Sequence, residues 1–474
     1  MKIIKNYLYN ASYQLLLLIL PIVTAPYVSR TIGPKGVGQY SFTYSIITWF
    51  VMITNIGIAY YGDRQIAYVR NDHYKLSKTF WELQSLKFII SIISIFFFIA
   101  FVYTYKRYTL LLWLQAINIL ASMIDISWFY VGLEDFKITV TRNTLVKISS
   151  LIAIFLFIHN SNDTWLYTLI LALSTLLGNF TLWPRLRKIL IPVKLKALHP
   201  YQHLRESILL FFPTIAPMIY LTLSKTILGI LDGSTATGFY TNADTLIKTT
   251  LAVVTATGTV ILPKAANEYA KGKSENIKKM LYTSFDFVSF LAFPMAFGIA
   301  AISLKLSVFF YGKGFAPVGP VMMIESIVIV AIAWSNAIGI QYLLPTNQTF
   351  KYTKSLIIST IFSIVASFPM IYFWGLPGAM LTTVFSEVLV TVYQLFTVRH
   401  EIKLGRLFIN VPKFMISSMV MFIIVFCMNL YWEFNFITMI VEVLIGIVSY
   451  LLMIFITRPT IINKVKIMFK SIKL

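Results

Sequence analysis

The chain has a single cysteine, Cys427, and it lies inside an apolar run, which excludes a disulfide framework and a thiolate metal site. Histidine is nearly as scarce. His73, His159, His199, His203 and His400 show no HExxH-type spacing, and the one pair four residues apart, His199 and His203, falls in a basic loop without a third ligand, so no metal or cofactor is expected. Charged residues make up only 12% of the chain, and acidic ones are the scarcer kind, with 18 Asp and Glu against 40 Lys and Arg. No small-residue cleavage site follows the first apolar run near Leu8, which is expected to be a retained span and not a signal peptide. What is abundant is apolar surface. A chain of 474 residues that is 58% hydrophobic carries more of it than one water-soluble core can bury, so a bilayer must take up the excess.

A bilayer span needs about twenty apolar residues, because an α-helix rises about 1.5 Å per residue across about 30 Å of hydrocarbon. With Gly, Pro and charge as punctuation, spans are predicted at 8–29, 40–62, 86–104, 110–131, 144–159, 164–183 and 207–230. A second series follows at 243–263, 283–302, 319–344, 355–374, 378–398, 412–431 and 438–457. The basic residues test this layout independently, since they should collect in alternate loops on the cytoplasmic side. With the N-terminus inside, thirty-two of the 40 Lys and Arg fall in inner segments and six in outer ones, namely Arg30, Lys35, Lys106, Arg107, Lys305 and Lys313. Both termini are then cytoplasmic. The net charge of +22 is accounted for by short orienting loops, and nucleic acid is not an expected partner.

The largest basic loop, 184–206, divides the chain. Residues 1–183 form one six-span block and 207–400 another, while 401–474 add two spans and a basic tail. The blocks resemble each other. Each opens on paired prolines (Pro21 and Pro26; Pro213 and Pro217), then a cation, then a Gly-x-Tyr entering the next span (Gly38 and Tyr40; Gly238 and Tyr240). An even number of spans per block gives both the same orientation. The expected fold is therefore an all-α polytopic membrane protein of about fourteen helices, with two parallel six-helix halves around a central cavity and two further C-terminal helices. The prolines mark bends at matching points.

Polar residues recur along several spans, which turns those faces toward protein or a watery cavity. An ionisable group at mid-bilayer is costly and persists where it has a partner or water. The candidates singled out within the predicted spans are Asp125, Lys225, Lys248, Glu325 and Glu387. Lys225 stands five residues before the outer end of the seventh span and Lys248 five after the outer start of the eighth, which places them at similar depth. Two uncompensated ammonium groups there suit a diphosphate. Pairing of either lysine with Glu325 or Glu387 is the alternative. Arg30 holds the equivalent place in the first half, as a ligand cation or an interfacial anchor.

The segments PYVSRTIGPKGVGQYSF (26–42), NIGIAYYGDRQIA (55–67), DISWFYVGLEDFK (125–137), TGFYTNADTLIK (237–248) and ILPKAANEYAKGK (261–273) carry a family resemblance. Over essentially its whole length the chain resembles the polysaccharide-transporter branch of the multidrug/oligosaccharidyl-lipid/polysaccharide exporter superfamily, the Wzx-type flippases. The resemblance implies movement of an undecaprenyl-diphosphate-linked oligosaccharide repeat unit across a bacterial cytoplasmic membrane, with the lipid tail left among the membrane lipids and no bond made or broken. It implies cavity cations for the diphosphate, pointing to Lys225 and Lys248, and also to Arg30 and to Arg64 near the inner end of the second span. H⁺ or Na⁺ is the expected coupling ion. A multidrug/cation antiporter of the same superfamily is the competing expectation, with Asp125 or Glu325 as the cation-binding carboxylate. An enzyme acting at the outer face is not expected, because every outer loop is under about twenty residues and lacks a paired-carboxylate motif.

Overall fold

A computed structural model of the protein describes residues 2–460; the basic tail with Lys464, Lys466, Lys470 and Lys473 lies outside the described residues. The first two spans form one helix, α1 (Lys2–Asn55), and the eleventh and twelfth form another, α13 (Thr349–Val398). Where loops were expected, the chain turns within a single residue. Gly33 takes φ 70° and ψ 177° just before Pro34, and Gly375 takes φ 53° and ψ −130° two residues before Pro377. Only glycine reaches such dihedrals cheaply, and a proline in the next helical turn sacrifices no hydrogen bond that a helix start would make. The bends therefore fall at these glycines. Backbone dihedrals stay helical through Pro21 and Pro26, and the seventh-span helix continues across positions 213 and 217.

Between these long helices come α2 (Ile58–Val69), α3 (His73–Tyr105), α4 (Thr109–Met123), α5 (Ser127–Gly132), α6 (Phe136–Phe157), α7 (Thr164–Phe180), α8 (Leu204–Leu231), α9 (Ser234–Ala270), α10 (Ser274–Tyr311), α11 (Val318–Glu325) and α12 (Ile327–Ser335). After α13 come the short α14 (Leu404–Leu407), then α15 (Val411–Tyr431) and α16 (Phe436–Thr457). Among the described residues ten helical stretches are long and apolar enough to cross a bilayer, and two of them, of 51 and 50 residues, are long enough to cross twice. With α8 and α9 the described residues contain fourteen helical passes, as the hydropathy layout predicts.

The chain divides into two compact units, Met1–Gly238 and Phe239–Leu474. In the first, the cation-rich ends of α2, α3 and α5 share an aromatic core in which Phe80 stacks on Trp128 at 5.7 Å and meets Phe129 edge-on at 5.0 Å. The basic linker is not a loose strap. Its 3-10 turns Trp183–Lys188 and Pro200–His203 meet α3, the first through Trp183 on Phe88 and the second at the buried Glu82, which accepts from His199 N (2.9 Å), Gln202 Nε2 (3.0 Å) and His203 Nε2 (3.1 Å). A carboxylate only accepts, so His203 Nε2 carries a proton and its Nδ1 takes the Tyr61 hydroxyl at 2.8 Å. In the second unit α10 packs on α11, α12 and α15, and Trp334 is wedged between Phe285 and Phe408, each at 5.3 Å.

Candidate functional site

In the first unit the predicted fourth span is broken. α4 stops at Met123 and α5 starts at Ser127, which frees carbonyls that inside a bilayer must find donors. Four neighbouring side chains supply them. Asn179 donates to Ala121 O (2.7 Å), Gln84 to Met123 O (2.9 Å), Trp183 to Ile124 O (2.8 Å) and Lys87 to Asp125 O (2.9 Å). The Asp125 carboxylate accepts from Ser127 N at 3.0 Å and faces Arg142 Nη2 at 3.8 Å, while Arg142 Nη1 donates to Asn179 at 2.6 Å. Asp125 is thus the hinge-post of a capped helix break. Lys87, counted from sequence as a topology charge, is 2% exposed and belongs to the same network. No hydropathy pattern marks it, because its partner is a backbone carbonyl supplied by tertiary packing.

Arg64 on α2 pairs with Glu206 at 3.8 Å and lies over the Tyr61 ring at 5.6 Å. Arg30 is exposed, three residues ahead of the Gly33 turn. Lys225 is half-buried on α8, and its carbonyl accepts from Thr237 Oγ1 at 3.3 Å. One turn of α1 also presents a tyrosine group that the sequence pattern left unremarked as a unit. Tyr40 stacks on Tyr44 at 5.7 Å and meets Tyr167 of α7 edge-on at 4.8 Å.

In the second unit Lys248 is not uncompensated. Its Nζ stands 2.6 Å from Asp244 Oδ1 and 2.8 Å from Oδ2, one helical turn away on α9. Lys225 is six residues, about 9 Å, from the end of α8, whereas Lys248 is fourteen residues, about 21 Å, from the start of α9. Glu325 and Glu387, both buried, lie within electrostatic range of Lys248 and of Tyr240, whose hydroxyl pairs with Thr383 Oγ1 at 2.7 Å. This group therefore brings the carboxylates Asp244, Glu325 and Glu387 near the Lys248 ammonium. Among the described residues no cluster of three or more His, Cys, Asp or Glu has the geometry to hold a metal ion.

The second unit also holds an apolar groove of about 480 Å³, lined by α10, α15 and α16 with Phe290, Pro294, Gly298, Met421 and Gly446 among its walls. Its polar lining groups are Thr250, Tyr450 and the fully buried Glu442, whose Oε2 accepts from Asn429 at 3.0 Å. Sequence reasoning missed Glu442; its position four residues inside the predicted last span was the available signal.

Comparison with known proteins fits this architecture. A family described as polysaccharide biosynthesis protein matches residues 3–267. A protein of Escherichia coli (strain K12) named for O-antigen transport is 24% identical over 405 residues, 84% of this chain and 97% of the relative. A Shigella dysenteriae protein of the same name is 19% identical over 387 residues, 80% of this chain and 96% of the relative. Among solved structures, the lipid II flippase MurJ in an inward closed conformation superposes with a TM-score of 0.76 at 15% identity, covering 96% of this chain and all of that one. An inward-facing multidrug resistance transporter of the MATE family gives 0.60 at 12% identity, over 84% of this chain and 94% of that one.

Proposed function

We infer, for a chain that belongs to the polysaccharide biosynthesis protein family, that this membrane transporter is a flippase for an undecaprenyl-diphosphate-linked oligosaccharide repeat unit. It works in the bacterial cytoplasmic membrane with both termini inside, and serves the assembly of a capsule, exopolysaccharide or O-antigen. The single observation that carries this reading is the near end-to-end similarity to relatives named for O-antigen transport. The protein is a transporter, not an enzyme.

The chemistry of the chain supports the reading at three points. The apolar groove beside α15 and α16 offers a polyprenyl tail a path that stays in the hydrocarbon layer. Lys225 and Lys248, with Arg30 and Arg64 toward opposite ends of the layout, supply cations for the diphosphate. The Tyr40, Tyr44 and Tyr167 rings supply amphipathic faces of the kind that sugars pack against. Movement follows alternating access by the two six-span blocks.

The group of buried carboxylates Asp244, Glu325 and Glu387 near Lys248 suits a second role for the same half, binding of a coupling H⁺ or Na⁺. It is also the feature that a multidrug/cation antiporter would use. The test is deletion of the gene followed by analysis of lipid-linked intermediates. Complete repeat units accumulating on the inner leaflet are expected; unchanged surface polysaccharide together with altered drug tolerance would establish the antiporter instead.

A further inference from the structure

At the cation-rich ends of α6 and α7 lies a pocket of about 370 Å³. Lys137, Arg142 and Arg185 converge on it, with the hydroxyl-bearing Thr141 and Thr181 between them and Asp135 at the rim. None of these cations is explained by the helix break except Arg142. That guanidinium is fixed by Asn179 and faces Asp125, so it forms a rigid floor, while Lys137 and Arg185 stand exposed above it. Taken together, the three cations with Asp135 and Asp125 leave one net positive charge.

The pocket does not open on water alone. Leu145 lies on its wall and begins a stripe of exposed apolar residues down α6, Leu145, Ile148, Ile152 and Leu156, spaced three and then four residues apart on one helical face. Only 17% of the apolar window of α6 is buried in protein, so the stripe lies open along the span. A singly charged head site placed over a long apolar track matches an anionic phospholipid in both charge and amphiphilic order. Basic pockets between transmembrane helices on the cation-rich side are a known way to hold such headgroups.

We propose that this pocket holds the phosphodiester headgroup of an anionic phospholipid from the leaflet on the cation-rich side, with its acyl chains lying along the Leu145 to Leu156 stripe. The phosphate accepts from Lys137 and Arg185, and Arg142 supplies the fixed charge beneath it. The site is separate from the intramembrane groups assigned to the transported substrate, so its occupancy is measured on resting protein without any transport assay.

The test uses the full chain purified in detergent, with thermal unfolding followed as phosphatidylglycerol, phosphatidylcholine of the same chains, inorganic phosphate or inorganic diphosphate is added. Phosphatidylglycerol is expected to raise the midpoint well above the phosphatidylcholine value, and native mass spectrometry to show one retained molecule. The phosphatidylglycerol increment should be at least halved in K137Q/R185Q and in the milder K137Q. It should persist in K278Q/K279Q, which removes two cations from another basic segment. Equal increments from the two lipids would overturn the proposal. So would equal losses in the two double variants, which would mean diffuse surface attraction. An equal increment from inorganic diphosphate would make the pocket a site for soluble anions and overturn the lipid assignment.

Discussion

The two halves of this protein both bury ionisable groups within the bilayer, but they balance them in opposite ways. Around the α4 break, Lys87 and Arg142 are met by a backbone carbonyl, an asparagine and the Asp125 carboxylate, so both cations have fixed partners at a helix end. Around α9, the buried carboxylates Asp244, Glu325 and Glu387 gather near Lys248, which pairs directly with Asp244. The first arrangement is architecture, because removing any member exposes a carbonyl or a charge to hydrocarbon. The second gathers several buried carboxylates around one ammonium, and such titratable groups are suited to gain and lose a proton during a cycle.

That contrast can be broken most forcefully at Arg142. Arg142→Met should destabilise the protein by at least about 2 kcal/mol, because it strips a mostly buried carboxylate of its partner. Thermal unfolding in detergent should show the drop, while transport per folded molecule stays near the parent value. A loss of transport without a loss of stability would move the α4 break into the working site. Next in size, Lys248→Met should cut flipping of a labelled lipid-linked oligosaccharide in proteoliposomes by about tenfold, equivalent to about 1.4 kcal/mol of lost interaction. Adding Asp244→Asn should restore abundance but not flipping.

A subtler distinction concerns the driving ion. Glu325→Gln or Glu387→Gln should abolish the response of transport to an imposed proton or sodium gradient, whereas Asp63→Asn, beside Asp125 in the first unit, should leave it intact. Equal effects would mean that the two charge groups are not different in kind. The smallest effect is expected outside the bilayer, at Glu401. Partial burial pushes that carboxyl's pKa up, but hydrogen bonds from Lys351, Gln348 and Tyr342 outweigh it and hold the pKa below the usual value. Its stabilising share is therefore present at neutral pH and lost as pH falls through and below the ordinary carboxylate range. Both Glu401 and Lys351 are about a third exposed, so Glu401→Gln should cost under about 1 kcal/mol at pH 7 and nothing in strong acid.

Fourteen passes were legible because the length of an apolar run is a local property. The corners were not. A hydropathy window sees ten residues between the first two spans, from 30 to 39, and assigns a loop, while the chain uses Gly33 alone. Asp125 was recognised as an intramembrane charge, but the helix break it belongs to depends on Asn179, Gln84, Trp183 and Lys87, which reach its carbonyls only through packing. The Asp244 partner of Lys248 was within view, four residues upstream, yet a span boundary set at 243 made it an end residue and hid the pair. The sugar preference has no local signature at all.

The glycine corners have a mechanical consequence. Two rods tied by string can slide past each other, but α1 and α13 are each bent bars with no slack at the elbow. A displacement of one arm is delivered undiminished to the other, and torsion at Gly33 or Gly375 is the one freedom such an elbow retains. Stiffening that joint with an alanine would test whether the transport cycle bends these bars or carries them whole.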